Sequence, residues 1–104
     1  MDRGDLIIAP PALEDFQQIW LYISVHASSD IADRLLDEVY DRFELLSMAP
    51  LMGKERPELA VNLRSMVVEP FVILYRPIER GVAIARVVRA EQDIEQIAQD
   101  SGLE

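Results

Sequence analysis

The amino-acid sequence predicts an α+β fold: an N-terminal strand, an antiparallel helix hairpin, a three-stranded antiparallel meander and a short C-terminal helix. Three observations lead there. Between Asn62 and Arg89, three runs rich in Val, Ile and Tyr are separated by two punctuated gaps, Glu69-Pro70 and Pro77-Ile78-Glu79-Arg80-Gly81. Proline presets φ for a turn, and Gly81 offers the positive φ that a tight reversal often needs. Upstream, two stretches carry apolar residues at helical spacing. No repeat, low-complexity tract or linker interrupts the order, so residues 1–104 are expected to form a single domain.

Leu6-Ile7-Ile8-Ala9 is a short apolar run that reads as a strand joining the later sheet; Pro10-Pro11 ends it, and Pro11 also suits the start of a helix, where a missing N–H costs nothing. From 12 to 26, Leu13, Phe16, Ile19/Trp20 and Ile23 recur at helical spacing. Glu14 and Asp15 then fall in the first turn, where the helix dipole favours negative charge. Ser28 or Ser29 can cap a second helix. Its buried stripe is Ala32, Leu35/Leu36, Val39, Phe43 and Leu46, and Asp37, Glu38, Asp41 and Glu44 form a solvated face. Pro50 disfavours helix in the residue before it, which stops this helix near Met48. Residues 51–61 read as a loop with at most one helical turn. The meander strands are expected at 63–68, 71–76 and 82–88, the last helix at 90–99, and residues 100–104 should fray. Leu13, Phe16, Ile23, Leu36, Val39, Phe43, Ile73 and Ile84 are the expected core.

Side chains alternate between the faces of a strand. Phe71, Ile73 and Tyr75 therefore share one face, and Val72, Leu74 and Arg76 the other. In the last strand, Val82, Ile84, Arg86 and Val88 oppose Ala83, Ala85, Val87 and Arg89. Both faces are largely apolar. The helix hairpin can cover one, which leaves Val72, Leu74 or their opposite-face neighbours for a partner to bury.

A net charge of −9 argues against general polyanion binding, which rests on Lys and Arg neutralising phosphates. The charge is unevenly spread. Residues 54–89 hold seven basic side chains against four glutamates, a net of +3, and the remainder is −12. Such asymmetry orients a charged partner more than it raises affinity. The absence of cysteine excludes disulfides and thiolate metal sites. The chain opens Met1-Asp2-Arg3-Gly4-Asp5, without a secretory signal pattern, and no apolar run approaches the roughly 20 residues of a membrane span. A cytoplasmic protein that binds neither membrane nor specific nucleic-acid sequence is expected.

Motifs for chemistry are sparse. His26 is the only histidine, and its place near a helix C-terminus is better explained by charge–dipole contact than by catalysis. Four scattered glycines make no phosphate loop, and no EF-hand spacing or cofactor motif is present. The arginines remain: Arg64, Arg76, Arg86 and Arg89 lie on neighbouring strands or their ends and could converge on a partner. Arginines at strand ends also cover apolar surface and pair with glutamate. Tyr75 could stack on a base or act as an acid, although a buried tyrosine with a hydrogen-bonded tip is the simpler reading.

Specific residues match a family. Ala12-x-x-Asp15-Phe16-x-x-Ile19-x-x-Tyr22-Ile23 resembles the first helix of the RelE/ParE superfamily of bacterial toxins. Pro50-x-x-Gly53, Glu58-Leu59 and Asn62-Leu63-Arg64-Ser65 resemble its loop and first meander strand. Phe71-Val72-Ile73-Leu74-Tyr75-Arg76 resembles the central strand, and Val82-x-Ile84-x-Arg86-Val87 with Asp93 resembles the last strand and the segment after it. The resemblance implies a type II toxin wrapped by the C-terminal segment of a cognate antitoxin, ParD-like or similar, in a hetero-oligomer. RelE-like members cut messenger RNA on the ribosome with lysines, arginines and a tyrosine or histidine near the C-terminus; ParE-like members inhibit DNA gyrase. Here Lys54 is the only lysine, Arg89 stands where many relatives carry histidine, and no tyrosine or histidine follows Tyr75. Arginine stays protonated and is a poor base, so the acid–base inventory for cleavage is thin. The ParE-like branch without catalytic residues is the favoured expectation. A RelE-like nuclease and a non-toxic, antitoxin-binding member are the alternatives. The partner-facing residues expected are Arg64, Tyr75, Arg76, Arg86, Arg89, Val72 and Leu74.

Overall fold

The computed structural model describes residues 4–100 and 102. Its elements are β1 (Asp5–Ile8), α1 (Pro10–His26), α2 (Ser29–Met48), β2 (Lys54–Glu55), β3 (Arg64–Val68), β4 (Phe71–Ile78), β5 (Gly81–Arg89) and α3 (Ile94–Asp100). The five strands form one sheet in the order β1-β5-β4-β3-β2, with β1 parallel to β5 and the other pairs antiparallel. The predicted α+β order holds. Of residues 100–104, where fraying is expected, 101, 103 and 104 lie outside the described ones.

Helix α1 begins two residues earlier than the apolar spacing suggests. Pro10 and Pro11 do more than end β1, because they occupy the first turn, where a missing N–H costs nothing. Glu14 and Asp15 consequently lie beyond that turn. The hydrophobic stripe also shifts by one residue: Ala12 is fully buried and Leu13 is half exposed, so Leu13 is not core. Helix α2 starts as expected, with the Ser28 hydroxyl accepting from the Ile31 amide (3.1 Å). The hairpin closes through Phe16 stacked on Phe43 (5.5 Å between centroids) and the Trp20 indole N–H donating to Asp33 (2.7 Å).

Residues 51–61 contain a two-residue strand, β2, which the sequence does not announce; Lys54 pairs with Ser65 and Glu55 with Arg64. Gly81 also differs from expectation. Its φ is not positive, and glycine is needed there because a Cβ would collide with the backbone of Asp5 on the adjacent strand.

Strict alternation fails in β5. The β4–β5 register shifts between Leu74 and Tyr75, which pair with Arg86 and Ile84 and leave Ala85 over. A bulge of this kind inserts an extra residue and re-aims its neighbours. Beyond it, Val87 joins Val82 and Ile84 on the helix side, and Val88 joins Ala85 on the other. The helix-side core is built on Val39, Phe43, Leu46, Ile73, Tyr75 and Ile84, with Phe16 and Ile23 half buried at its margin.

The far face has its own cover. Leu59, Ala60 and Leu63 from the 56–63 loop and Ala98 of α3 pack on Val72, Leu74, Ala85 and Val88, assisted by Ile94 and Ile97. Val72 and Leu74 are therefore buried, and the expectation that they await a partner is corrected. The reason is the loop, whose three apolar side chains add to what α3 alone could shield.

Candidate functional site

The expected arginines do not converge; the fold distributes them over three places. The first is the corner by β2. Arg64 Nη1 donates to the carbonyls of Leu51 (3.1 Å) and Gly53 (2.8 Å), and Nη2 to Glu55 Oε1 (3.1 Å). Beside it in register, Tyr75 is fully buried. Its hydroxyl accepts from the Gly53 amide (2.8 Å) and donates to the Pro50 carbonyl (2.8 Å). A Cβ on residue 53 would strike the phenol ring, so Gly53 is what lets the loop close over it. Burial pushes the Tyr75 hydroxyl above the ordinary tyrosine range, opposed in part by the Gly53 N–H. Tyr75 is thus the buried tyrosine with a hydrogen-bonded tip, a structural pin with both bonds committed, and not the partner-facing residue also expected.

The second place is the far face, where Arg76 Nε donates to the Val61 carbonyl (3.1 Å) and holds the covering loop. Nearby, Arg56 pairs with Glu58 (2.8 Å), whose carboxyl is held below its usual range first by that hydrogen bond.

The third place is the end of β5, where Arg86 and Arg89 meet α1. Arg86 grips Asp15 with two parallel bonds, Nε to Oδ2 (2.6 Å) and Nη2 to Oδ1 (2.8 Å). Asp15 Oδ2 also accepts from the Val87 amide (2.9 Å). This forked geometry is the strong form of a charge-assisted pair. The hydrogen bond to Asp15 raises the Arg86 guanidinium above its usual range, with burial acting the other way. The bulge explains the reach, since it falls immediately before Arg86.

Next to this clamp lies a cleft of about 490 Å³ between α1 and β5, lined by Gln18, Ile19, Tyr22, Phe71, Val87, Arg89 and Gln92 among others. Arg89 stands at its mouth, nearly half exposed. Its guanidinium lies 5.7 Å from the Tyr22 ring centroid and its Nε 3.3 Å from the exposed Glu91. The other neighbour of Tyr22 is His26, stacked at 4.0 Å, whose Nδ1 donates to the Tyr22 carbonyl (2.9 Å). Asp15, Tyr22 and Gln92 were absent from the expected site. Asp15, Ile19 and Tyr22 already stood in the helix motif at spacings that share a face, and that was the available signal.

The acid–base groups here are poorly placed for chemistry. Asp15 is saturated by Arg86 and Val87, the Tyr75 hydroxyl is sealed, and His26 is tied to its own helix. Among the described residues no group of three or more His, Cys, Asp or Glu could hold a metal ion, and no helix is long and apolar enough to cross a membrane. What the arrangement offers is an apolar-walled cleft with a cation at its rim.

This fold and site define a small α+β domain with a cleft beside an arginine–aspartate clamp, and comparison supplies the family. Residues 6–94 match the model of the ParE toxin of type II toxin-antitoxin system, parDE, so the chain belongs to the ParE toxin family. It is similar to Toxin ParE3 of Caulobacter vibrioides, with 25% identity over 91 residues, covering 88% of this chain and 91% of that protein. In fold it matches a solved chain titled "Chromosomal ParDE TA system from P. aeruginosa", with a TM-score of 0.74 and 21% identity over 86% of this chain and 98% of that one.

Proposed function

We propose that this ParE-family toxin acts by binding: it inhibits DNA gyrase in the cytoplasm and is neutralised by a cognate antitoxin in a toxin–antitoxin hetero-oligomer. Family membership supports the toxin–antitoxin setting. The observation that carries the mode of action is Tyr75. It is the acid–base candidate among the strand residues, and it is fully buried with both hydroxyl bonds spent on the Pro50–Gly53 loop. Arg64 is spent on the same loop. Phosphate cleavage needs a proton acceptor and donor within reach of substrate, and these side chains are not available for either role. A binding inhibitor needs only surface.

The test is controlled expression without antitoxin, with DNA damage and protein synthesis followed separately. Trapped gyrase–DNA complexes and a DNA-damage response while translation continues are expected. An early fall in translation with codon-positioned message cleavage would replace this reading with ribosome-dependent RNA cutting. No effect on either would leave antitoxin binding as the chain's sole activity.

A further inference from the structure

Strand β5 outlasts its neighbour β1. The parallel pairing covers Gly81–Ile84, and the last bond between them runs from the Ala9 amide to the Ile84 carbonyl (2.9 Å). The chain then turns into α1. From 85 to 89, β5 has β4 on one side and no strand on the other. Residues two apart send their amides the same way, about 7 Å apart. Val87 and Arg89 both send theirs to the open edge, where side chains accept them: Asp15 Oδ2 at 2.9 Å and Gln92 Oε1 at 2.8 Å. In a paired strand those acceptors would be a neighbour's backbone carbonyls.

The two caps differ in how firmly they are held. Asp15 is largely buried and clamped by Arg86, which also cancels its charge. Gln92 is exposed, in the turn between β5 and α3. The cleft runs beside this edge, with Ile19 and Phe71 in its walls and Arg89 at its rim. We infer that the 87–89 edge of β5 is a strand-docking site, taking an extended partner segment that carries a carboxylate for Arg89 and displaces Gln92 from the Arg89 amide. This rests on the proposed antitoxin partnership and locates one contact within it. A second copy of this chain is disfavoured, because pairing two such edges brings together two chains that each carry a net charge of −9.

The native sequence lacks cysteine, so Gln92→Cys and Val67→Cys each permit attachment of a benzophenone at one site. Val67, exposed on β3 on the β2 side of the sheet, is the control. The probe is the cognate ParD-like antitoxin, titrated into each variant and into Arg89→Glu. Crosslinking from 92 and not from 67 is expected, with Kd about tenfold or more higher in Arg89→Glu, as loss of a charged hydrogen bond implies. An unchanged thermal melt of Arg89→Glu would assign that loss to the interface. Crosslinking confined to 67, or an Arg89→Glu affinity within twofold of the parent, would overturn the docking site and leave the antitoxin partnership standing. Toxin-to-toxin crosslinks from 92 would assign the edge to self-association. If no complex forms with the unsubstituted toxin, the partnership itself fails.

Discussion

At the corner by β2, Arg64 and Tyr75 turn inward and spend their donors on the carbonyls of Pro50, Leu51 and Gly53. At the end of β5, Arg86 is equally committed, yet Arg89, three residues on, faces solvent over Tyr22. Both places put arginines on neighbouring strands of one sheet; the difference is what lies next to each. A loop that must close over the sheet needs polar pins, and Arg64 and Tyr75 supply them. Where β1 stops at Ile8, no strand pairs with β5 on that side, and the amides of Val87 and Arg89 are each capped by a single side chain. Charged residue types alone do not separate scaffold from surface here; the neighbouring strand does.

Substitutions can break or sharpen that contrast. The largest effect is expected from Leu74→Asp. Leu74 is fully buried under the 56–63 loop and α3, so an uncompensated charge there should cost about 4 kcal/mol or more and unfold the chain. Chemical denaturation checks this, and a well-folded variant would mean that the far-face cover is not formed in solution. Asp15→Ala should cost about 3 kcal/mol, because it strands both the Arg86 guanidinium and the Val87 amide; urea unfolding measures it. Tyr75→Phe should cost about 2 kcal/mol, since it leaves the Gly53 amide and the Pro50 carbonyl without their buried partner.

Tyr75 also carries a pH signature. Its folded pKa is raised by burial, so the protonated phenol favours the native state. That contribution is complete below the unfolded value of about 10 and is lost as pH rises through the higher folded value. Stability of the parent should therefore decline above about pH 10, and Tyr75→Phe should lack that component. Parallel alkaline unfolding curves for the two proteins would contradict it. The smallest structural effect of the core set belongs to Arg76→Glu, about 1 kcal/mol, from releasing the Val61 carbonyl.

Much of this was legible in sequence. Helical spacing from Phe16 to Ile23 and from Ala32 to Leu46, a serine cap at 28 or 29 and the punctuation at Glu69-Pro70 and at 77–81 placed the hairpin and the meander. Strand β4, however, runs through Pro77 to Ile78, and the second turn narrows to 79–80. What escaped depended on long-range packing. Leu13 and Ala12 differ by one helical position, and periodicity alone does not decide which of two adjacent apolar residues faces the sheet. The bulge at Ala85 leaves no compositional mark, yet it moves Val87 to the helix side and sends Arg86 to Asp15, 71 residues away in sequence. The loop residues Leu59, Ala60 and Leu63 carry no periodic pattern, which is why Val72 and Leu74 looked uncovered. Of the seven expected contact residues, Arg89 is the one the fold leaves exposed.

The contrast between the two places comes down to one paired measurement, equilibrium urea unfolding of Arg64→Ala beside Arg89→Ala. Arg64 makes three hydrogen bonds that hold the 51–55 loop, and its loss should cost about 2 kcal/mol. Arg89 offers an exposed ion pair with Glu91 and a loose contact with Tyr22, and its loss should cost about 0.5 kcal/mol. A clear gap in that order is the expected result; equal costs, or a larger cost at Arg89, would contradict the division into scaffold and surface.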